Sequence, residues 1–182
     1  MIGRDACIAL AASLAAACAQ AQSAADAALD APLDARADAP IDAPGSDGRP
    51  PGNDICAGAE DVTSAAHASG GATITGDLTG YHNDVQPAQA CTGFVNDGPD
   101  AIYEVTVAAG KTLTATLTPQ GWDGAVEIVQ PCTLMPICLA GSDGASPEVA
   151  TYLAPASATL YVVVDSFDPT AFGAYTLNIR VQ

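Results

Sequence analysis

The chain has 182 residues, with 21 Asp and Glu against 5 Lys and Arg and a formal net charge of -16. That length accommodates one ordinary domain. So acidic a field excludes nucleic acid and anionic membrane surfaces as partners, because both are bound through Lys and Arg clusters that this sequence lacks.

Residues 1–21 read as a signal peptide. Arg4 precedes an apolar run over 7–17, well short of the roughly 20 residues that span a bilayer. Two processing routes follow from the small residues behind it. One is cleavage after Ala19-Gln20-Ala21; the other is lipidation at Cys18, after Ala15-Ala16-Ala17. The second resembles a bacterial lipobox, with Leu14 four positions before the cysteine where three is usual. The expected location is secreted or cell envelope, as an outer-membrane lipoprotein if Cys18 is acylated.

Residues 22–52 form a linker. From Asp26 the pattern Asp-Ala recurs every four residues, at Asp30, Asp34, Asp38 and Asp42. A helix is excluded because Pro32, Pro40 and Pro44 each remove a backbone donor and restrict the preceding residue. Aspartates four apart would also repel along a helix face. The segment is predicted to be a disordered, extended Asp/Ala/Pro-rich stalk, spanning up to about 80 Å in a polyproline conformation.

From Asn53 to the end, β-rich runs alternate with Gly, Pro, Asn and Asp. Predicted strands are 72–79, 101–107, 111–118, 125–129, 148–153, 158–165 and 174–181. Tyr103, Val105 and Val107 oppose Glu104 and Thr106, and Leu113, Ala115 and Leu117 oppose Thr112, Thr114 and Thr116. Such alternation places one face on a core and one in water. Leu160 to Val164 are apolar on both faces, as in a covered central strand. Ala108-Ala109-Gly110 reads as a short hairpin connection. Helical signal is confined to one turn near 57–66. The expected fold is all-β, a two-layer antiparallel β-sandwich of jelly-roll type, over 53–182.

Cys56, Cys91, Cys132 and Cys138 fall in this domain, and an even count in an exported chain reads as disulfides. The short Pro-containing stretch between Cys132 and Cys138 favours their pairing, leaving Cys56 to Cys91. Loop entropy would give roughly 2 kcal/mol to the first and roughly 4 kcal/mol to the second.

Residues 53–182 resemble the bacterial pre-peptidase C-terminal domain. The matching pieces are Asn53-Asp54-Ile55-Cys56, then Gly98-Pro99-Asp100-Ala101-Ile102-Tyr103, then Ala109-Gly110-Lys111-Thr112-Leu113. Next come Trp122-Asp123-Gly124-Ala125-Val126-Glu127-Ile128, Leu139-Ala140-Gly141-Ser142-Asp143, Tyr161-Val162-Val163-Val164-Asp165 and Gly173-Ala174-Tyr175-Thr176-Leu177. Their order and spacing carry the resemblance. It implies a non-catalytic module that accompanies secreted proteases or surface proteins, some relatives binding calcium or a matrix polymer. Here a stalk precedes the domain instead of a protease. That stalk resembles, in composition, those of myxobacterial secreted or lipoprotein envelope proteins.

No catalytic constellation is apparent. His67 and His82 are the ordinary bases, and neither lies beside a recognisable nucleophile motif. Gly141-Ser142-Asp143-Gly144 is a turn and not a nucleophile elbow. The chain is expected not to be an enzyme. Calcium is the best inorganic candidate, through Asn53, Asp54, Asp100, Asp123 and Asp165 in turns, while a zinc site using the cysteines with His67 or His82 lacks a C-x-x-C spacing. Trp122, Tyr81 and His82 are candidate binding residues, the last two in the patternless segment 79–96. The expected function is a non-catalytic binding or display module for an extracellular protein or polysaccharide. The alternatives are a calcium-stabilised structural or adhesive module and a secreted accessory or inhibitor of a peptidase.

Overall fold

A computed structural model describes residues 52–182. The expectations for the signal peptide, for Cys18 and for the stalk lie outside the described residues. Nine strands form two sheets. The five-stranded sheet has the order β1 (Glu60–Asp61), β3 (Asp100–Val107), β8 (Ala158–Ser166), β5 (Gly124–Gln130), β6 (Ile137–Ser142). The four-stranded sheet has the order β2 (Ala72–Asp77), β9 (Ala174–Val181), β4 (Thr112–Pro119), β7 (Glu148–Leu153). All pairings are antiparallel except β1 with β3, which is parallel. From β2 to β9 the chain alternates between sheets at every connection but β5 to β6, which is a hairpin within one sheet. That is a jelly roll, with β1 and the single-turn helix α1 (Thr63–Ala66) added at one edge.

Side-chain alternation sets the core. Tyr103, Val105 and Val107 of β3 meet Leu113, Ala115 and Leu117 of β4 and Tyr175, Leu177 and Ile179 of β9 between the sheets. The two large polar side chains there satisfy one another, Tyr103 and Tyr175 sharing a hydroxyl hydrogen bond of 2.7 Å. β8 is central as expected, and its residues divide between two layers. Leu160, Val162 and Val164 face the main core, while Val163 joins Ile102, Val129 and Val85 in a second cluster on the outer face of the sheet.

Two expectations require correction. The 108–110 connection is no hairpin: β3 pairs with β1 and β8, β4 with β7 and β9, so these residues turn a corner between the layers. Alternation in both strands fits either arrangement, since both present one apolar face. The disulfides join Cys56 to Cys132 and Cys91 to Cys138, not Cys132 to Cys138 and Cys56 to Cys91. The stretch between Cys132 and Cys138 is occupied by the β5–β6 turn. Each cysteine there instead captures a different segment lying over the sheet.

Candidate functional site

Between β2 and β3 the chain runs from 78 to 99 with one 3-10 turn, Gln89–Cys91, and covers part of the outer face of the five-stranded sheet. Val85 anchors it among Ile102, Val129 and Val163. Cys91 ties it to β6 through Cys138, and Gly141 allows the approach, since a Cβ there would stand 2.8 Å from the Cys91 carbonyl oxygen. The Gln86 N–H donates to the Leu134 carbonyl at 2.7 Å, and the Gly98 N–H to that of Ser166 at 2.9 Å. Across the middle, Gln86 Nε2 donates to Asp97 Oδ1 at 2.7 Å. The segment is therefore held at both ends and in the centre.

Exposed apolar side chains flank this bond. Phe94 (51% exposed) packs edge-on against Phe167 (42%), with ring centroids 6.1 Å apart. Beyond Gln86 lie Leu134 (62%) and Met135 (78%) in the β5–β6 turn. A shallow open depression of about 250 Å³ lies nearby, lined by Tyr81, His82, Asp97, Pro99, Pro169 and Phe172 among others.

Beneath the segment the sheet presents carboxyls. Asp100, Glu127 and Asp165, on β3, β5 and β8, are fully buried or nearly so, as are Asn96 above them and Asp54 at the domain start. Asp100 stands opposite Asp165 in the β3–β8 register. Its Oδ2 accepts the N–H groups of Asp84 and Val85, both at 2.8 Å, so this carboxyl also positions the covering segment. Burial pushes Asp100 up to about 7 against the lowering effect of those two N–H donors. Asp165 is raised well above the ordinary carboxyl range by burial and by the Glu127 and Asp100 charges, and Glu127 is raised mainly by burial. Asp143, at the end of β6, is pushed to about 6 by burial and by the Asp123 and Glu148 charges.

The expected calcium ligands divide into separate places. Asp100 and Asp165 come together. Asn53 instead accepts from the Tyr81 hydroxyl at 2.7 Å, and Asp54 accepts from the His82 N–H at 2.6 Å and from its Nδ1 at 3.0 Å. Asp123 is exposed. Among the described residues, Asp54, His82 and Asp84 are the trio whose ligand atoms gather within 4.8 Å of one another. Both oxygens of Asp54 are already bonded to His82 there, an ion pair whose hydrogen bond raises the imidazole.

The expected binding residues are committed to the fold to different degrees. Trp122 is half-buried, donates through Nε1 to the Ala174 carbonyl at 2.8 Å and meets Tyr175 edge-on, so it closes the sandwich rim and does not form an open platform. Tyr81 is half-buried, and burial raises its phenol to about 12. The His82 side chain is 65% exposed and lines the depression. Sequence reasoning passed over Asn96, Glu127, Phe94, Phe167, Leu134 and Met135. Glu127 alone carried a signal, as the single charge inside the apolar run 125–129.

No protein-family model matches the chain, and no curated protein matches it. Among solved structures it is similar to Aeromonas hydrophila PliG, a periplasmic lysozyme inhibitor of g-type lysozyme, at 14% identity and a TM-score of 0.46, covering 68% of this chain and 96% of that one. It is similar to the pre-peptidase C-terminal domain of collagenase from Bacillus anthracis at 16% identity and a TM-score of 0.43, covering 67% and 94%. Salmonella Typhimurium PliG gives 14% identity and a TM-score of 0.39, covering 68% and 99%. The jelly-roll assignment rests on the strand order and register described above.

Proposed function

We propose that this chain is an exported, non-catalytic module that binds a protein outside the cytoplasm through the surface around the 78–99 segment. The observation that carries this reading is the exposure of Phe94, Phe167, Leu134 and Met135 on backbone held by hydrogen bonds, with a disulfide at Cys91. Apolar side chains left in water on a rigid support favour association, because little conformational freedom is lost when a partner covers them. The acidic surroundings suit a partner with a basic rim.

A protein suits this surface better than a polysaccharide. Sugar platforms are open aromatic faces, whereas Trp122 and Tyr81 are hydrogen-bonded into the fold and Phe94 and Phe167 pack edge to face. Catalysis finds no support in the imidazoles: His67 Nε2 bonds the Thr106 carbonyl, His82 bonds Asp54, and among the described residues neither hydrogen-bonds a hydroxyl.

A photo-crosslinking residue placed at 94 or 135 on intact producing cells tests the reading. The expected result is a discrete crosslinked protein from either position, and none from 114, on the four-stranded sheet. Loss of that product in the Phe167→Ser, Leu134→Ser variant would support the surface. Equal crosslinking from all three positions, or none from 94 and 135, would sink it.

A further inference from the structure

The carboxyls beneath the 78–99 segment are unused by a binding surface above them. Asp100 and Asp165 are 0% exposed, Glu127 2% and Asn96 4%. Asn96 Nδ2 donates to Glu127 Oε1 at 3.2 Å, which aims this amide into the acidic cluster, and its Oδ1 accepts no hydrogen bond. Asp100 Oδ1, Glu127 Oε2 and both oxygens of Asp165 likewise have no partner among the described residues. Buried acceptors are ordinarily satisfied, so five orphan oxygens on three adjacent strands and the segment over them call for a donor or a cation. Among the described residues no Lys or Arg reaches the cluster, and His82 is paired with Asp54. The domain's two Lys and Arg side chains, Lys111 and Arg180, stand at the corner before β4 and on β9 of the other sheet.

We propose that Asn96, Asp100, Glu127 and Asp165 form a buried calcium site that locks the 78–99 segment onto the five-stranded sheet. The donors are all hard oxygens, which excludes ions that prefer nitrogen or sulfur. Calcium accepts six to eight oxygens at about 2.3–2.6 Å in flexible geometry, whereas magnesium demands a strict octahedron and retains its waters. The carboxyls of Asp100, Glu127 and Asp165 do not all lie within 4.8 Å of one another, so the ion would draw them inward from three adjacent strands. Because Asp100 also holds the Asp84 and Val85 N–H groups while Asn96 lies near the far end of the segment, one ion would fasten its middle and its far end.

The test uses the purified, processed chain stripped with EGTA. Calorimetric titration with calcium chloride is expected to show one ion per chain, with a higher melting temperature in calcium than in EGTA and slower hydrogen exchange at the Val85 amide. Asp165→Asn and Glu127→Gln should each weaken calcium at least about tenfold. In EGTA both variants should melt no lower than the parent, since each side-chain amide offers an N–H donor to the orphan oxygens beside it. Asp54→Asn should leave calcium affinity unchanged. No binding heat together with equal melting in calcium and EGTA would overturn the proposal, as would loss of binding in Asp54→Asn but not in Asp165→Asn, or magnesium matching calcium. If the variants fail to fold, titration and Val85 exchange in the parent decide the matter.

Discussion

Removing the disulfides singly separates the observed connectivity from its rivals. Cys56–Cys132 and Cys91–Cys138 close 76 and 47 residues of sequence and interleave along the chain. With one bridge intact, the loop that the other closes runs through 56–91 and 132–138, roughly 43 residues whichever bridge is removed. Chain entropy then assigns each a loss of about 4 kcal/mol, or about 15 °C of melting temperature for a domain of this size. Cys56→Ser with Cys132→Ser and Cys91→Ser with Cys138→Ser should therefore cost the same in urea or thermal unfolding. The decisive variant is Cys132→Ser with Cys138→Ser. It breaks both bridges and leaves Cys56 and Cys91 as two thiols titratable with Ellman's reagent after unfolding. A bridge between Cys132 and Cys138 would instead be lost alone, at about 2 kcal/mol and with no free thiol. That result, or a 132–138 peptide in a non-reducing digest, would refute the pairing.

Further outcomes follow from packing. Tyr175→Phe should lower stability by about 1–2 kcal/mol in urea unfolding, because the buried Tyr103 hydroxyl loses its 2.7 Å partner. Gly141→Ala should be destabilising by about 1–3 kcal/mol, its new methyl meeting the Cys91 backbone, and should speed hydrogen exchange of the Cys91 amide. Ile128→Ala, in the main core, should cost about 2–5 kcal/mol by leaving a cavity. Phe94→Ser and Met135→Ser, at exposed positions, should change unfolding free energy by no more than about 0.5 kcal/mol while reducing partner capture.

The sequence determined the class of the domain because strand alternation is local. Tyr103, Val105 and Val107, or Leu113, Ala115 and Leu117, mark a buried face whatever they pack against, and all seven expected strands are present within two residues at either end. The doubly apolar run of β8 likewise announced a central strand. β6 escaped notice, since Ile137–Ser142 has a Gly and a Ser in place of clear alternation and half-buried side chains over most of its length. Only the tertiary structure decided what depends on which distant residues meet. The 108–110 connection links different sheets because β8 and β9 supply the neighbours of β3 and β4. The cysteines pair across the cover because Cys56 and Cys91 lie on separate segments brought to β5 and β6. Asp100, Glu127 and Asp165 become one cluster only through the registers of β3 and β5 with β8. Alternation within each strand sets which face a carboxyl takes, but which strands become neighbours, and so which carboxyls meet, depends on residues far apart in the chain.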